Sequence, residues 1–463
     1  MSVISCFKAY DLRGRVPEQL NEDVAYRVGR AFASFLKAKT IVVGHDIRLT
    51  SVDLSQALMK GLTDAGATVL FIGECGTEEV YFGTFHLGAD GGICVTASHN
   101  PMDYNGMKFV GKGSSPISGD TGLQKIKQIA EKNEFEEISK PDKGVVRNID
   151  VRPDYIQHLL SYVDPKKIKP LKAVVNAGNG GAGAIIDQLE PFLCIDFIKV
   201  HHEADGSFPN GIPNPLLPER RQSTSDAVIR HQADLGIAWD GDFDRCFFFD
   251  HTGKFIEGYY LVGLLAESFL AKTPGAKIVH DPRLTWNTID IIDNCKGRAI
   301  ESKTGHAFIK ETMRKEDAVY GGEMSAHHYF KDFAYCDNGN IPWMLVVELL
   351  STCGKSLAEL VSERMDAFPC SGEINGTVND PSYVLNEIER IYVEKQNDLA
   401  DPNFRVEKLD GVSISFSNWR FNLRMSSTEP VIRLNVEARR DRALMESKTR
   451  EILEYVKVLD SKT

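Results

Sequence analysis

The segment Ile41-Val42-Val43-Gly44-His45-Asp46-Ile47-Arg48-Leu49-Thr50 is echoed by Lys277-Ile278-Val279-His280-Asp281-Pro282-Arg283-Leu284-Thr285, and Ala173-Val174-Val175-Asn176 opens a third strand of the same kind. A short apolar run closed by turn residues reads as a buried strand. Three such openings predict three related α/β units. A helical pattern accompanies them, as where Val24, Val28, Ala31, Phe32, Phe35 and Leu36 mark one apolar face. Single cores stop growing near ~250–300 residues, so a chain of 463 residues, 42% hydrophobic, is expected to hold several domains. The Glu-, Lys-, Asp- and Pro-rich stretch 131–143 reads as the tail of a surface helix and a linker, placing a first boundary near residue 148.

Between these units lie four segments that can carry chemistry. Residues 95–103 read Val-Thr-Ala-Ser-His-Asn-Pro-Met-Asp; a strand over Gly92, Ile93, Cys94 and Val95 ends just before them, and Asn100-Pro101 forces a turn. The Ser98 hydroxyl is therefore expected exposed on a rigid bend, where a nucleophile belongs. No Gly-x-Ser-x-Gly elbow surrounds it, which weakens a hydrolase triad. An ordinary Ser/Asn turn is the plain alternative.

Residues 240–245 read Asp-Gly-Asp-Phe-Asp-Arg, between an apolar run at Leu235, Gly236, Ile237, Ala238 and Trp239 and another at Cys246, Phe247, Phe248 and Phe249. Strand, tight loop, strand brings Asp240, Asp242 and Asp244 close together. With only Arg245 beside them, the natural neutraliser is a hard divalent cation with oxygen ligands, and Mg²⁺ shared with a phosphate oxygen suits such a set. Strand flanks exclude an EF-hand, and an acidic turn is the alternative.

A third segment, Gly322-Glu323-Met324-Ser325-Ala326-His327-His328, follows an expected strand at Ala318-Val319-Tyr320 and can divide sugar hydroxyls among its carboxylate, hydroxyl and imidazoles. In the fourth, Arg424-Met425-Ser426-Ser427-Thr428-Glu429-Pro430, a guanidinium, hydroxyls and turn amides could enclose a phosphate before a strand at 431–436.

In this order and at these separations the four segments resemble the phosphoserine, metal, sugar and phosphate loops of the α-D-phosphohexomutase superfamily. Tyr10-Asp11-Leu12-Arg13-Gly14 is similar to its amino-terminal segment, so the resemblance spans the chain. Met324, Cys6-Phe7-Lys8-Ala9, Asn105-Gly106-Met107-Lys108 and Thr304-Gly305-His306 look most like its bacterial phosphomannomutase branch. Two positions depart from the pattern: Ser427 stands where Asn or Gly is common, and Phe243 where Gly is frequent.

The resemblance implies an α/β fold of three similar mixed α/β domains (1–148, 149–251 and 252–367) and a smaller C-terminal α+β domain (368–463) around a central cleft. It implies reversible conversion of mannose 6-phosphate and mannose 1-phosphate through a phosphoserine at Ser98 and a hexose 1,6-bisphosphate that also serves as activator, supplying GDP-mannose for polysaccharide synthesis. Mg²⁺ would be held by Asp240, Asp242 and Asp244 with Ser98. His99 and Lys108 would handle the proton or balance charge, and Arg13 and Arg245 would orient the phosphoryl group. Tyr10, Arg283, His306, Glu323, Ser325 and His327 would bind the sugar phosphate, with Arg424, Ser426, Ser427 and Thr428 on the distal phosphate. A phosphoglucomutase or dual-specificity enzyme stays open, since nothing visibly reads carbon 2; so do a Mg²⁺-dependent sugar phosphatase and a catalytically silent sensor.

Composition narrows the partners. A net charge of −11 speaks against a nucleic-acid footprint and against long-range attraction of a sugar phosphate, so any anion site must be a local Arg/Lys cluster. No apolar run reaches the about 18 residues of a membrane span, and residues 1–14 show no charged-then-apolar leader. Nine scattered cysteines without Cys-x-x-Cys fit reduced core thiols. A cytoplasmic monomer or homodimer acting on a small phosphosugar is the expectation.

Overall fold

The computed structural model describes residues 3–136, 139, 142–425 and 430–462. They form two compact units, Met1–Ile256 with His327–Leu357, and Glu257–Ala326 with Ala358–Thr463.

The first sheet contains β1 (Leu12–Arg15), β2 (Thr40–His45), β3 (Thr68–Glu74), β4 (Gly91–Val95), β5 (Tyr104–Gly111) and β6 (Val146–Asn148), in the order β1-β5-β4-β2-β3-β6. β2 pairs in parallel with β3 and β4, while β5 runs antiparallel to β4 and β1. The second sheet contains β7 (Leu171–Asn176), β8 (Ile195–Val200), β9 (Leu235–Trp239), β10 (Cys246–Asp250) and β11 (Phe255–Ile256). Its order is β11-β10-β9-β7-β8, with β7 parallel to both neighbours. In the second unit β12 (Lys277–His280) lies parallel to β13 (Arg298–Glu301) and β14 (Tyr320–Gly322). Each repeated segment is thus the central strand of its set, with the next strand on one side and the one after on the other. The apolar repeat marks these strands because a central parallel strand is covered on both faces.

β15 (His328–Phe330) and β16 (Cys336–Asp337) form an antiparallel pair in the first unit. β17 (Ile374–Thr377), β18 (Arg405–Glu407), β19 (Val412–Ser415), β20 (Trp419–Met425) and β21 (Val431–Ala438) make a wholly antiparallel sheet, ordered β17-β21-β20-β19-β18. The architecture is three mixed α/β sets followed by an α+β domain. The strand expected at 318–320 starts only at Tyr320.

Helix α1 (Glu22–Leu36) starts where the Asn21 side chain accepts from the Val24 amide, and it buries Ala25, Val28, Ala31 and Phe32. Fully burying a side chain such as Phe32 contributes ~1.5–3 kcal/mol, and its ring lies 5.6 Å from that of Phe109 on β5. The same core takes in Ile93 and Val95 of β4 and Met107 and Phe109 of β5, the strands on either side of the Ser98 turn, and helix α2 (Ser51–Asp64) packs on α1. Among the described residues no helix is long and apolar enough to cross a membrane.

Candidate active site

Strand β4 ends at Val95, and the next turn places Ser98 in the left-handed region, with φ 49°. The turn is fixed from two sides. The Ser98 amide donates to Thr96 Oγ1 at 2.9 Å, and Arg48 donates Nη2 to the carbonyls of Ser98 (2.9 Å) and Asn100 (2.6 Å) and Nη1 to those of Pro101 (2.8 Å) and Tyr104 (2.9 Å). Ser98 is not exposed as the sequence suggests: only 4% of its surface is accessible. The metal-loop candidate covers it. A Cβ on Gly241 would stand 2.4 Å from the Ser98 carbonyl oxygen, so only glycine permits this approach.

Strands β9 and β10 bring Asp240, Asp242 and Asp244 together as expected, all buried, with one oxygen from each within 4.8 Å of the others. Ser98 Oγ donates to Asp240 Oδ2 at 2.9 Å and lies 3.0 Å from His99 Nδ1. Arg245 binds Asp240 Oδ2 through Nε (3.0 Å) and Nη2 (2.6 Å), and Nη2 also donates to His99 Nδ1 at 2.6 Å. A guanidinium can only donate, so Nδ1 is the unprotonated ring nitrogen. Lys108, on β5, donates to Asp242 Oδ2 at 2.7 Å and also to Asp244. Arg13, on β1, is held by Asp11 at 2.8 Å and reaches the Thr96 carbonyl at 3.3 Å. Tyr10 is half-buried in the bend before β1. His327 Nδ1 lies 3.1 Å from Asp337 Oδ2.

The charges explain the titration of the cluster. Burial would raise Asp240, but Arg245 and then His99 outweigh it and hold the carboxyl below its ordinary range. Asp244 is pushed up to about 6 by burial and by Asp242, against the pull of Lys108. Burial and Arg245 lower His99 to about 4, so its imidazole is neutral at pH 7. Asp242 Oδ1 and Asp244 Oδ1 are buried without a hydrogen-bond partner among the described residues. Orphaned hard oxygens on adjacent carboxylates fit a small divalent cation such as Mg²⁺.

In the second unit Arg283 is buried, not a surface ion pair. Its Nη2 contacts Asp281 (2.8 Å), Ser325 Oγ (3.2 Å) and Glu323 (3.5 Å), while Nη1 reaches Glu373 (3.4 Å). His306 is the first residue of the helix His306–Glu316, and Glu323 accepts from the Gly305 amide just before it at 2.9 Å. Arg424 donates to Glu373 at 2.7 Å. Ser426, Ser427 and Thr428 lie outside the described residues.

Two residues of the first unit escape a motif reading. Thr77, which opens helix α3 (Thr77–His86), donates Oγ1 to Asp242 Oδ2 at 2.6 Å. Nothing in the sequence signals it. Arg48 was signalled, because it occupies in the first repeat the place of Arg283 in the later one. Both amides donate to the preceding aspartate, Arg48 to Asp46 at 3.0 Å and Arg283 to Asp281 at 2.9 Å.

A serine turn buried against a three-carboxylate loop, on repeated α/β sets, is an arrangement suited to phosphoryl transfer, and the comparisons narrow the class. Models of phosphoglucomutase/phosphomannomutase match in four parts: α/β/α domain I at residues 5–137, domain II at 153–253, domain III at 257–368 and the C-terminal domain at 373–454. The chain is 58% identical to the phosphomannomutase of Escherichia coli strain K12 over 458 residues, covering 98% of this chain and 99% of that one. It is 57% identical to a Xanthomonas campestris protein named phosphohexose mutases, covering 97% and 98%. The crystal structure of a phosphoglucomutase/phosphomannomutase family protein from Burkholderia thailandensis superposes with a TM-score of 0.86 at 31% identity, covering 99% and 98%. The chain belongs to the phosphoglucomutase/phosphomannomutase family of the α-D-phosphohexomutase superfamily and is a phosphohexose mutase.

Proposed function

We propose that the protein interconverts mannose 6-phosphate and mannose 1-phosphate through a phosphoserine at Ser98 and a hexose 1,6-bisphosphate, as a cytoplasmic step supplying GDP-mannose. The observation that carries the reading is Ser98 Oγ, 2.9 Å from Asp240, at the head of a buried three-carboxylate loop with unspent oxygens. Relatives named phosphomannomutase from Escherichia coli and Vibrio cholerae, 58% and 56% identical, support the mannose assignment.

Asp240, Asp242 and Asp244 would hold Mg²⁺ with Ser98. When bound, it neutralises charge on the phosphoryl oxygens. Arg245 keeps Asp240 ionised and pointed at Ser98 Oγ while donating to His99, so one guanidinium orients both neighbours of the nucleophile. Neutral His99, 3.0 Å from Oγ, would take or return the serine proton once Arg245 releases its Nδ1 lone pair. Lys108 is raised by Asp242 and Asp244, against burial, and stays cationic; it balances charge rather than shuttling the proton. Arg13, pinned by Asp11, would orient the phosphoryl group. In the second unit Glu323 and Ser325 would bind sugar hydroxyls; Arg283, His306 and Arg424, with Ser426, Ser427 and Thr428, would grip the phosphate that is not reacting. Tyr10 and His327 would complete the substrate contacts.

The test is kcat/KM for mannose 1-phosphate and glucose 1-phosphate side by side, with and without chelator. A preference for mannose 1-phosphate and loss of activity in chelator, restored by Mg²⁺, are expected. A relative named for phosphohexoses at 57% identity favours a second reading, dual specificity, which equal kcat/KM values would select.

A further inference from the structure

Arg424 on β20 and Arg433 on β21 are directly opposite in the antiparallel ladder. Like charges so placed repel, and a third guanidinium, Arg283, joins them. One carboxylate, Glu373, lies among all three: 2.7 Å from Arg424, 3.4 Å from Arg283 and 3.6 Å from Arg433. Arg283 meets two further carboxylates, Asp281 and Glu323. Among the described residues, the three arginines and three acids of this group cancel. A group without net charge is a poor receptor for a phosphate dianion, yet buried Nε donors of Arg283 and Arg424 have no hydrogen-bond partner among the described residues. The cluster therefore has donors to spare but no charge to spare.

We infer that Glu373 is an internal anion that occupies the arginine cluster between turnovers, and that the non-reacting phosphate of the substrate displaces it. Of the three carboxylates Glu373 is the one able to move: its side chain is 22% exposed, while those of Asp281 and Glu323 are each 2%. It follows Gly372, which has φ 68°, directly before β17, so its backbone sits at the end of an element and not within one. Displacing it turns a neutral group into one with a net positive charge, which attracts a phosphate anion. When the phosphate leaves, the carboxylate returns and keeps the opposed arginines from repelling. Burial alone would raise the Glu373 carboxyl, but Arg283, Arg424 and Arg433 keep it below its ordinary range, so it is ionised at neutral pH. The same exchange would weaken the hold on a bisphosphate midway through its reorientation.

This inference rests on the reading of Arg283 and Arg424 as phosphate ligands, and the experiment separates the two. Inorganic phosphate binding to the full-length protein is measured by calorimetry for wild type, Glu373→Gln, Glu373→Ala and Arg424→Ala, with KM for both substrates. Removing the competing carboxylate should tighten phosphate binding at least fivefold in Glu373→Gln and lower KM in both directions, with Glu373→Ala following the same sign. Unchanged or weaker binding in both Glu373 variants, alongside loss of binding in Arg424→Ala, would overturn the inference and make Glu373 a prop for the arginines, leaving the proposed function standing. Wild-type binding in Arg424→Ala would sink the phosphate-ligand reading and this inference with it.

Discussion

At the scale of single residues, Arg48 decides the shape of the Ser98 turn. Its guanidinium is 3% exposed and serves four carbonyls of residues 98–104. A lysine has one nitrogen and no planar fork, so it cannot satisfy them together. Unpaired buried carbonyls are costly, and breaking such a network typically removes about 3–5 kcal/mol. Arg48→Lys is expected to lower the melting temperature and to cut kcat at least tenfold, with KM changing less than threefold, because the loss falls on where Oγ points. Steady-state kinetics with thermal melts check it; unchanged kcat would separate Arg48 from the turn. Ser98→Ala should abolish mutase turnover with the fold intact, and intact-mass spectrometry of wild type should show a phosphorylated fraction that the variant lacks. Ser98 was legible because a strand end, a turn signal and a hydroxyl coincide in one segment. Its burial was not, since Gly241, which covers it, comes from a loop 143 positions later in the chain. Arg48 was legible only as an echo of Arg283.

At the scale of elements, the carboxylate loop 240–244 is set by how α3 meets it. Phe243 adopts φ 48°, the conformation glycine favours, and its ring is buried against the backbone before α3. A Cβ on Gly76 would come within 2.2 Å of that ring. The next residue, Thr77, donates to the Asp242 carboxylate. Ring, glycine and threonine thus act as one joint: whatever pushes the ring out of place drags the Asp242 carboxylate with it. Gly76→Ala should weaken Mg²⁺ activation several-fold and lower the melting temperature, whereas Thr77→Val, similar in shape without the donor, should weaken Mg²⁺ activation with a smaller thermal loss. Titration of activity and of the melting temperature with Mg²⁺ reads both. If Gly76→Ala retains wild-type Mg²⁺ dependence, the joint does not govern the loop. The resemblance puts Phe243 where glycine is frequent and leaves the three carboxylates in place. It does not show what accommodates the ring, because Gly76 and Phe243 meet only in the folded chain.

At the scale of the molecule, the repeat was the most legible feature, since an interior parallel strand covered on both faces is apolar, and β2, β7 and β12 each lie between two other strands. The C-terminal α+β domain was placed by resemblance, although β20, with Trp419, Phe421, Leu423 and Met425 separated by Arg420, Asn422 and Arg424, carries the period-2 alternation of a strand. Stability against acid is a property of the whole fold that the sequence hides, for it depends on which histidines are buried uncharged. His328, at the start of β15, is 1% exposed and lowered to about 3 by burial and then by the neighbouring His327. In the unfolded chain it titrates near ~6.5. Between those values the unfolded state binds a proton that the folded state refuses, so stability is fully present above about pH 6.5 and is lost as pH falls toward 3. One such proton gives a slope of ~1.4 kcal/mol per pH unit. His99, lowered to about 4, acts in the same sense over a shorter window. His328→Gln, which cannot charge, should therefore change the pH dependence of the melting temperature between pH 6.5 and 4.5 by one proton's worth toward acid stability relative to wild type, even if it starts from a lower value at pH 7, while Asp244, raised to about 6, acts in the opposite sense in both proteins. Parallel pH profiles for the two proteins would mean that the acid loss arises elsewhere, in the paired carboxylates that must protonate at lower pH.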